Sequence, residues 1–361
     1  MLEVDKFANL LAGYCVEVES GMTVLVNGPA QAEPLFVALQ AAILEKSAWP
    51  LLRPRFAAEG DMYLRAASGE QLESPSPADL ASLEKVDRVI DIGWVTPHLA
   101  EPPPSGLVEK FARSRAQISR LLRSRPYCIT FWPTEYAAER AGMSLPELEE
   151  FVAQGLFLGA DDPAAEWVRL RETQQRIADR LMEADELRIE AEGTDLSLRV
   201  GGRTWINSDG KRNMPSGEVF TGPIENSVNG VVRFSIPASP PRMSVPPIVG
   251  ITLRFKDGVV TEATADEGEE LLLKMLDTDD GSRLLGEVGI GTNFGIDRAI
   301  GVTLFDEKIG GTIHLALGQS YPETGGLNTS LVHWDLICDL RPGGRLTADG
   351  TPLQENGKFL F

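Results

Sequence analysis

Histidine is scarce in this chain of 361 residues, with only three: His98, His314 and His333. Cysteine is equally rare, and Cys15, Cys128 and Cys338 lie far apart with no CxxC pair. That excludes a disulfide framework or a cysteine-rich zinc finger, and it predicts buried, reduced thiols in a cytoplasmic protein. Positive charge is also short: 34 Lys+Arg stand against 53 Asp+Glu, a formal net charge of −19. The deficit disfavours a nucleic-acid partner, because phosphates are held mainly by Lys and Arg, and equally an anionic membrane surface. No apolar run approaches the roughly 18 residues of a membrane span. The opening MLEVDKFANL puts Glu3 and Asp5 where a secretory leader would be basic, so none is expected. Walker A, GxSxG and HExxH are missing, and there is no internal repeat.

What is present is a globular composition, 43% hydrophobic and 24% charged. The length suggests two domains, each able to bury its own core. Helical spacing of Phe7, Leu10, Leu11 and Tyr14 is followed by a short strand at Thr23–Val26 and a helix over Pro34–Leu44. Arg88–Val95 and Tyr127–Trp132 read as buried strands on either side of a helix at Leu107–Leu122. Strands alternating with helices predict an α/β domain with a largely parallel sheet. Glu101–Gly106 (EPPPSG) reads as a loop, and His98, after Pro97, as a surface or capping histidine. Ser144 and Glu147 form a capping box for a helix through Leu156, and a charged helix runs from about Ala164 to Ala184.

Beyond Ala184 the texture changes to short strands and Gly/Pro/Asp/Asn turns. Leu187–Glu192 and Asp195–Val200 form a hairpin, and one helix interrupts at Glu267–Leu276. The expected organisation is therefore an N-terminal α/β domain, 1–184, followed by a strand-rich α+β domain, 185–361.

The second half holds the two informative histidines. On a strand through Ser330–Leu340 (SLVHWDLICDL), Val332, Trp334, Leu336, Cys338 and Leu340 form one apolar face. His333 and Asp335 share the opposite face, a common way to offer an imidazole and a carboxylate to one metal. A satisfied His–Asp hydrogen bond accounts for that pair equally well. In Gly311–Gly318 (GTIHLALG), His314 shares its face with Thr312, Ala316 and Gly318, which leave room for a bulky guest. Glu218 (NMPSGEVFTGP) and Glu287 (LLGEVGIGTN) each lie between Gly and Val in apolar segments. A carboxylate in such a setting is costly unless paired or bound to a cation. Arg212 is near enough in sequence to offer Glu218 a structural salt bridge. Gly289, Gly291 and Gly295 give GxGxxxG, which lacks the spacing and the βα unit of a dinucleotide site. Cys338 and Cys128, on buried faces, are not expected to be nucleophiles.

The segments NMPSGEVFTGP (213–223), GEVGIGTN (286–293), IHLALGQSYPETGG (313–326) and SLVHWDLICDL (330–340) together resemble the aminopeptidase T, or M29, family of metallo-aminopeptidases. FWPTEYAAERAGMSL (131–145) is similar as well. The chain is somewhat shorter than typical members. The resemblance implies a metallopeptidase domain in which Glu218, Glu287, His314, His333 and Asp335 hold two divalent ions, zinc, cobalt or manganese. It also implies peptide substrates with a free N-terminus, a homodimer, and Tyr321 in the active site. The expected chemistry is metal-assisted hydrolysis by ions roughly 3.5–4 Å apart. Glu218 or Glu287 would move the proton, and Tyr321 would donate to the oxyanion.

A related branch of the fold holds mononuclear Fe(II) ring-cleaving dioxygenases of the 2,5-dihydroxypyridine type. His314, His333 and Asp335 would satisfy their two-His-one-carboxylate requirement. Charge decides between the two. Glu218, Glu287 and Asp335 neutralise two divalent ions bridged by one hydroxide, whereas a single Fe(II) leaves excess negative charge. A purely structural metal site is a third reading, but such sites prefer Cys and His and saturate the metal.

Overall fold

The protein, here a computed structural model, is described for residues 2–95, 105–241 and 245–360. His98 lies outside the described residues, as does most of Glu101–Gly106. The last two residues of that expected loop, Ser105 and Gly106, instead open the helix Ser105–Arg123. The chain divides into two compact units. One is Met1–Glu166 with Gly210–Pro215, and the other is Trp167–Asp209 with Ser216–Phe361.

The first unit carries a four-stranded parallel sheet of β1 (Thr23–Pro29), β2 (Trp49–Arg55), β3 (Arg88–Gly93) and β4 (Tyr127–Phe131). Its order is β2-β1-β3-β4. Leu25, Val26, Ile90 and Ile92 are buried to 2% exposure or less, as strands covered on both faces require. β2 has no counterpart in the sequence reading, because Pro50 and Pro54 argue against a strand. It is tolerated at the edge of the sheet, where a missing N–H need not break a ladder. The capping box is in place: the Ser144 N–H donates to Glu147 at 2.7 Å ahead of the helix Leu145–Gly155.

The second unit begins in the helix Pro163–Met182 and continues with strands. These are β5 (Glu186–Ala191), β6 (Thr194–Arg199), β7 (Ile206–Ser208), β8 (Glu218–Thr221) and β9 (Asn229–Arg233). Next come β10 (Thr252–Lys256), β11 (Val259–Thr264), β12 (Leu285–Gly291), β13 (Thr312–Gly318) and β14 (His333–Asp339). The last are β15 (Arg345–Ala348), β16 (Thr351–Glu355) and β17 (Lys358–Phe359). One antiparallel sheet has the order β11-β10-β9-β6-β5-β15-β16-β17, and the other β14-β13-β12-β8-β7.

Both sheets feed one hydrophobic core. Leu187, Leu196 and Leu253 from the larger sheet join Val288, Leu315 and Leu336 from the smaller. Leu315 and Leu336 are fully buried, and truncating either to alanine would cost about 2–5 kcal/mol. Since alternate residues point to opposite faces, committing these side chains to the core fixes what the other face of β8, β12, β13 and β14 displays. Among the described residues no helix is long and apolar enough to cross a membrane.

Candidate metal centre

The far face of the five-stranded sheet gathers Glu218 from β8, Glu287 from β12, His314 from β13, and His333 and Asp335 from β14. Register explains how so many large polar side chains fit. Glu218 lies opposite Gly291, and His314 opposite Gly289. Ala316 separates Glu287 from Asp335, and Gly318 faces His333. A Cβ at Gly289 would come within 2.0 Å of His314 Nε2, so only glycine leaves space for that imidazole. Gly289 of GEVGIGTN thus makes room for a side chain across the sheet, while Gly286 and Gly291 make room for backbone carbonyls.

The donor atoms form two groups. Glu218, Glu287 and His314 make one, Glu287, His333 and Asp335 the other, and within each the atoms lie inside 4.8 Å. Glu287 belongs to both. Its Oε1 is 3.2 Å from His314 Nε2, and its Oε2 is 3.6 Å from His333 Nε2. Glu218 Oε2 approaches His314 Nε2 at 3.4 Å, and Asp335 Oδ1 approaches His333 Nε2 at 3.6 Å. His333 Nδ1 donates to the Gln319 carbonyl at 2.8 Å, an acceptor that fixes the ring and turns Nε2 toward the carboxylates.

This donor set fits divalent cations. Glu287 Oε2 is buried without a hydrogen-bond partner, His333 Nε2 standing off at 3.6 Å, which is costly for a carboxylate oxygen. Three carboxylates and two imidazoles crowd together, and their protonation reports the strain. Burial pushes Glu218 up to about 7, against the pull of the Lys308 ammonium. Asp335 is raised to about 6 by burial and by the carboxylate of Glu307. Burial opposes charging of His314, but its bond to Glu287 and the neighbouring carboxylates outweigh that and raise it to about 9.

Tyr321 sits at the rim, 42% exposed. Its ring centroid is 5.2 Å from that of His333 and 5.5 Å from that of Phe220. Partial burial and the carboxylates of Glu287 and Asp335 raise its phenol, which stays protonated as a donor. Cys338 packs in the core, where burial raises its thiol to about 11, and all three cysteines are buried, with no disulfide among the described residues.

Two features correct or extend the sequence reading. Glu218 has a cation beside it, but this is Lys308 Nζ at 3.5 Å, not Arg212. The Arg212 guanidinium instead lies over the Tyr127 ring, 5.0 Å from its centroid. Lys308 is wholly buried and also pairs with Glu307. In sequence the run Asp306–Lys308 passes for a solvated charge cluster; the available signal was its position between the apolar residues Phe305 and Ile309. The second feature is Gln174, also wholly buried. Its Nε2 donates to the backbone carbonyls of Glu218 and Ser208, each at 2.9 Å, bracing the strands that carry the site. Gln174 stands on the stripe of Trp167, Ile177 and Leu181, and a polar residue on an apolar stripe was a readable clue.

The chain matches the family described as thermophilic metalloprotease (M29) over residues 2–359. Aminopeptidase 2 of Geobacillus stearothermophilus is 30% identical to it, the match covering 99% of this chain and 98% of that protein. Aminopeptidase T of Thermus thermophilus is 29% identical, with 99% and 98% covered. Among solved structures, wild-type AmpT from Thermus thermophilus has a TM-score of 0.84 at 24% identity, over 99% of both chains. A 2,5-dihydroxypyridine dioxygenase from Pseudomonas putida KT2440 shares the fold more loosely. Its TM-score is 0.60 at 15% identity, over 99% of this chain and 96% of that one.

Proposed function

The chain belongs to the thermophilic metalloprotease (M29) family and is a metallo-aminopeptidase, and from that premise we propose that its centre is dinuclear. Glu218, Glu287 and His314 would hold one divalent cation, and Glu287, His333 and Asp335 the other. The observation that carries this reading is the place of Glu287, common to both donor groups and with a buried oxygen that no hydrogen bond satisfies. Zinc, cobalt and manganese all suit these N and O donors.

Bound there, the cations would lower the pKa of a coordinated water, polarise the scissile carbonyl and hold the free amine of a peptide N-terminus. The protein's own groups account for the rest. Both oxygens of Glu287 are directed at imidazoles, and those of Glu218 at Lys308 and His314. Glu218 or Glu287 would take a proton from the attacking water and pass it to the leaving amine. Tyr321, protonated at the rim, donates to the oxyanion.

Charge supports two ions over one. Glu307 and Lys308 cancel each other, so the three carboxylates still balance two divalent ions and a hydroxide. A single Fe(II) on His314, His333 and Asp335 would leave Glu218 and Glu287 unexplained. The proposal extends to residues 185–361 as the catalytic domain and to a cytoplasmic homodimer acting on peptides with a free N-terminus. Elemental analysis should give about two divalent ions per chain, with activity lost to chelators. N-acetylation of a good peptide substrate should abolish its cleavage. One iron per chain with oxygen-dependent ring cleavage would overturn the reading.

A further inference from the structure

Lys308 has no exposed surface, and an ammonium is among the costliest groups to bury. Its nearest partner is Glu307, the adjacent residue, and a simple counter-ion pair could have been left in water. What distinguishes this pair is its place. Lys308 Nζ lies 3.5 Å from Glu218 Oε1, while Glu218 Oε2 lies 3.4 Å from His314 Nε2. The two oxygens of Glu218 therefore have different partners, one the lysine and the other the metal centre.

The lysine is delivered by fixed backbone. Asn293 N–H donates to the Lys308 carbonyl at 3.1 Å, and the Gly310 N–H returns to the Asn293 carbonyl at 2.9 Å. The Asn293 side chain donates to the carbonyl of Ser216 at 3.0 Å, two residues before Glu218. One buried asparagine thus ties the segment that carries Lys308 to the segment that carries Glu218.

We propose that Lys308 is a positioning residue of the metal centre, occupying one oxygen of Glu218 so that only the other is presented to the cation. The inference rests on the dinuclear reading above. Glu287, which has no such lysine, offers both of its oxygens to the centre. Groups that orient metal ligands typically contribute about 10–100-fold in metal affinity or activity.

The experiment compares wild type with Lys308→Met, Glu307→Gln and the double variant, all as purified full chain. Affinity for Zn²⁺ is read by competition with a chromophoric chelator, kcat and KM on an aminoacyl-anilide, and folding by thermal melting. Lys308→Met should weaken Zn²⁺ binding and lower kcat by about 10–100-fold each, with KM changed by less than about threefold. Glu307→Gln removes a carboxylate beside the centre but leaves Lys308 on Glu218, so it should lower Zn²⁺ affinity less than Lys308→Met does. If Lys308→Met alone does not fold, the double variant carries the test, since it removes both charges together. A double variant that melts like wild type yet binds Zn²⁺ more weakly than Glu307→Gln supports positioning of Glu218. One with wild-type affinity and kcat would show Lys308 to be only the counter-ion of Glu307, and would overturn the proposal. A wild-type protein that binds Zn²⁺ but cleaves no anilide would defeat the aminopeptidase reading, and the affinity comparison would still decide the role of Lys308.

Discussion

Each unit sets acids within a sheet, and the two treat them differently. In the parallel sheet, Asp91 on β3 accepts a 2.8 Å hydrogen bond from the Asn27 amide on neighbouring β1. Burial raises its carboxyl, and the amide partly offsets the rise. In the five-stranded sheet, Glu218, Glu287 and Asp335 converge, and Glu287 keeps an oxygen that no donor satisfies. A half-buried acid with an amide partner is part of the scaffold. Acids that crowd one another beside two imidazoles form the donor groups proposed to hold cations.

The sharpest test of that contrast is to delete the groups that make the centre. Asp335→Ala or His333→Ala should remove metal and activity together, since each takes away a proposed ligand, and elemental analysis beside an anilide assay reads both. Retention of two ions by either variant would break the comparison. A smaller effect is expected from Tyr321→Phe, which deletes one hydroxyl and leaves the donor groups intact. Loss of an oxyanion donor typically costs about 10²–10³ in kcat, roughly 3–4 kcal/mol, with metal content and melting temperature unchanged. Wild-type turnover in that variant would take Tyr321 out of the mechanism.

The effect of pH is gentler and has a definite sign. With Glu218 raised to about 7, Asp335 to about 6 and His314 to about 9, the cation-free centre holds protons that a metal must displace. Affinity should therefore rise with pH. Calorimetry in buffers of different ionisation enthalpy should show more protons released on binding at pH 6 than at pH 8, because the two carboxyls have already ionised at the higher pH. Equal release at both would contradict the crowding. The smallest effect belongs to Asp91→Asn, which keeps the shape and removes a charge that burial already disfavours. Its stability should stay within about 1 kcal/mol of wild type and its metal content should be unchanged.

Much of this molecule was legible because strands sort side chains with period two. The alternation in SLVHWDLICDL separates Trp334, Leu336 and Cys338 from His333 and Asp335, and the structure buries the first set while the second faces the centre. The same rule isolates His314 among Ala316 and Gly318. Where the pattern is broken, reading fails. Prolines hide β2, and Lys308 and Glu307 follow a short helical turn, Thr303–Asp306, in which period two has no meaning. Gln174 lies on a helix whose other polar residues face water, and its task becomes visible only when its partners are in place.

Local sequence determined the ingredients: which residues alternate, which are too small to fill their face, and which acids lie in apolar segments. Those properties depend on neighbours along the chain, and one strand's spacing expresses them. Only the tertiary structure decided that Glu287 is common to both groups, that Lys308 rather than Arg212 meets Glu218, and that Gly289 makes room for His314. These depend on the register of strands from distant parts of the chain, where a shift of one residue would turn every ligand to the opposite face.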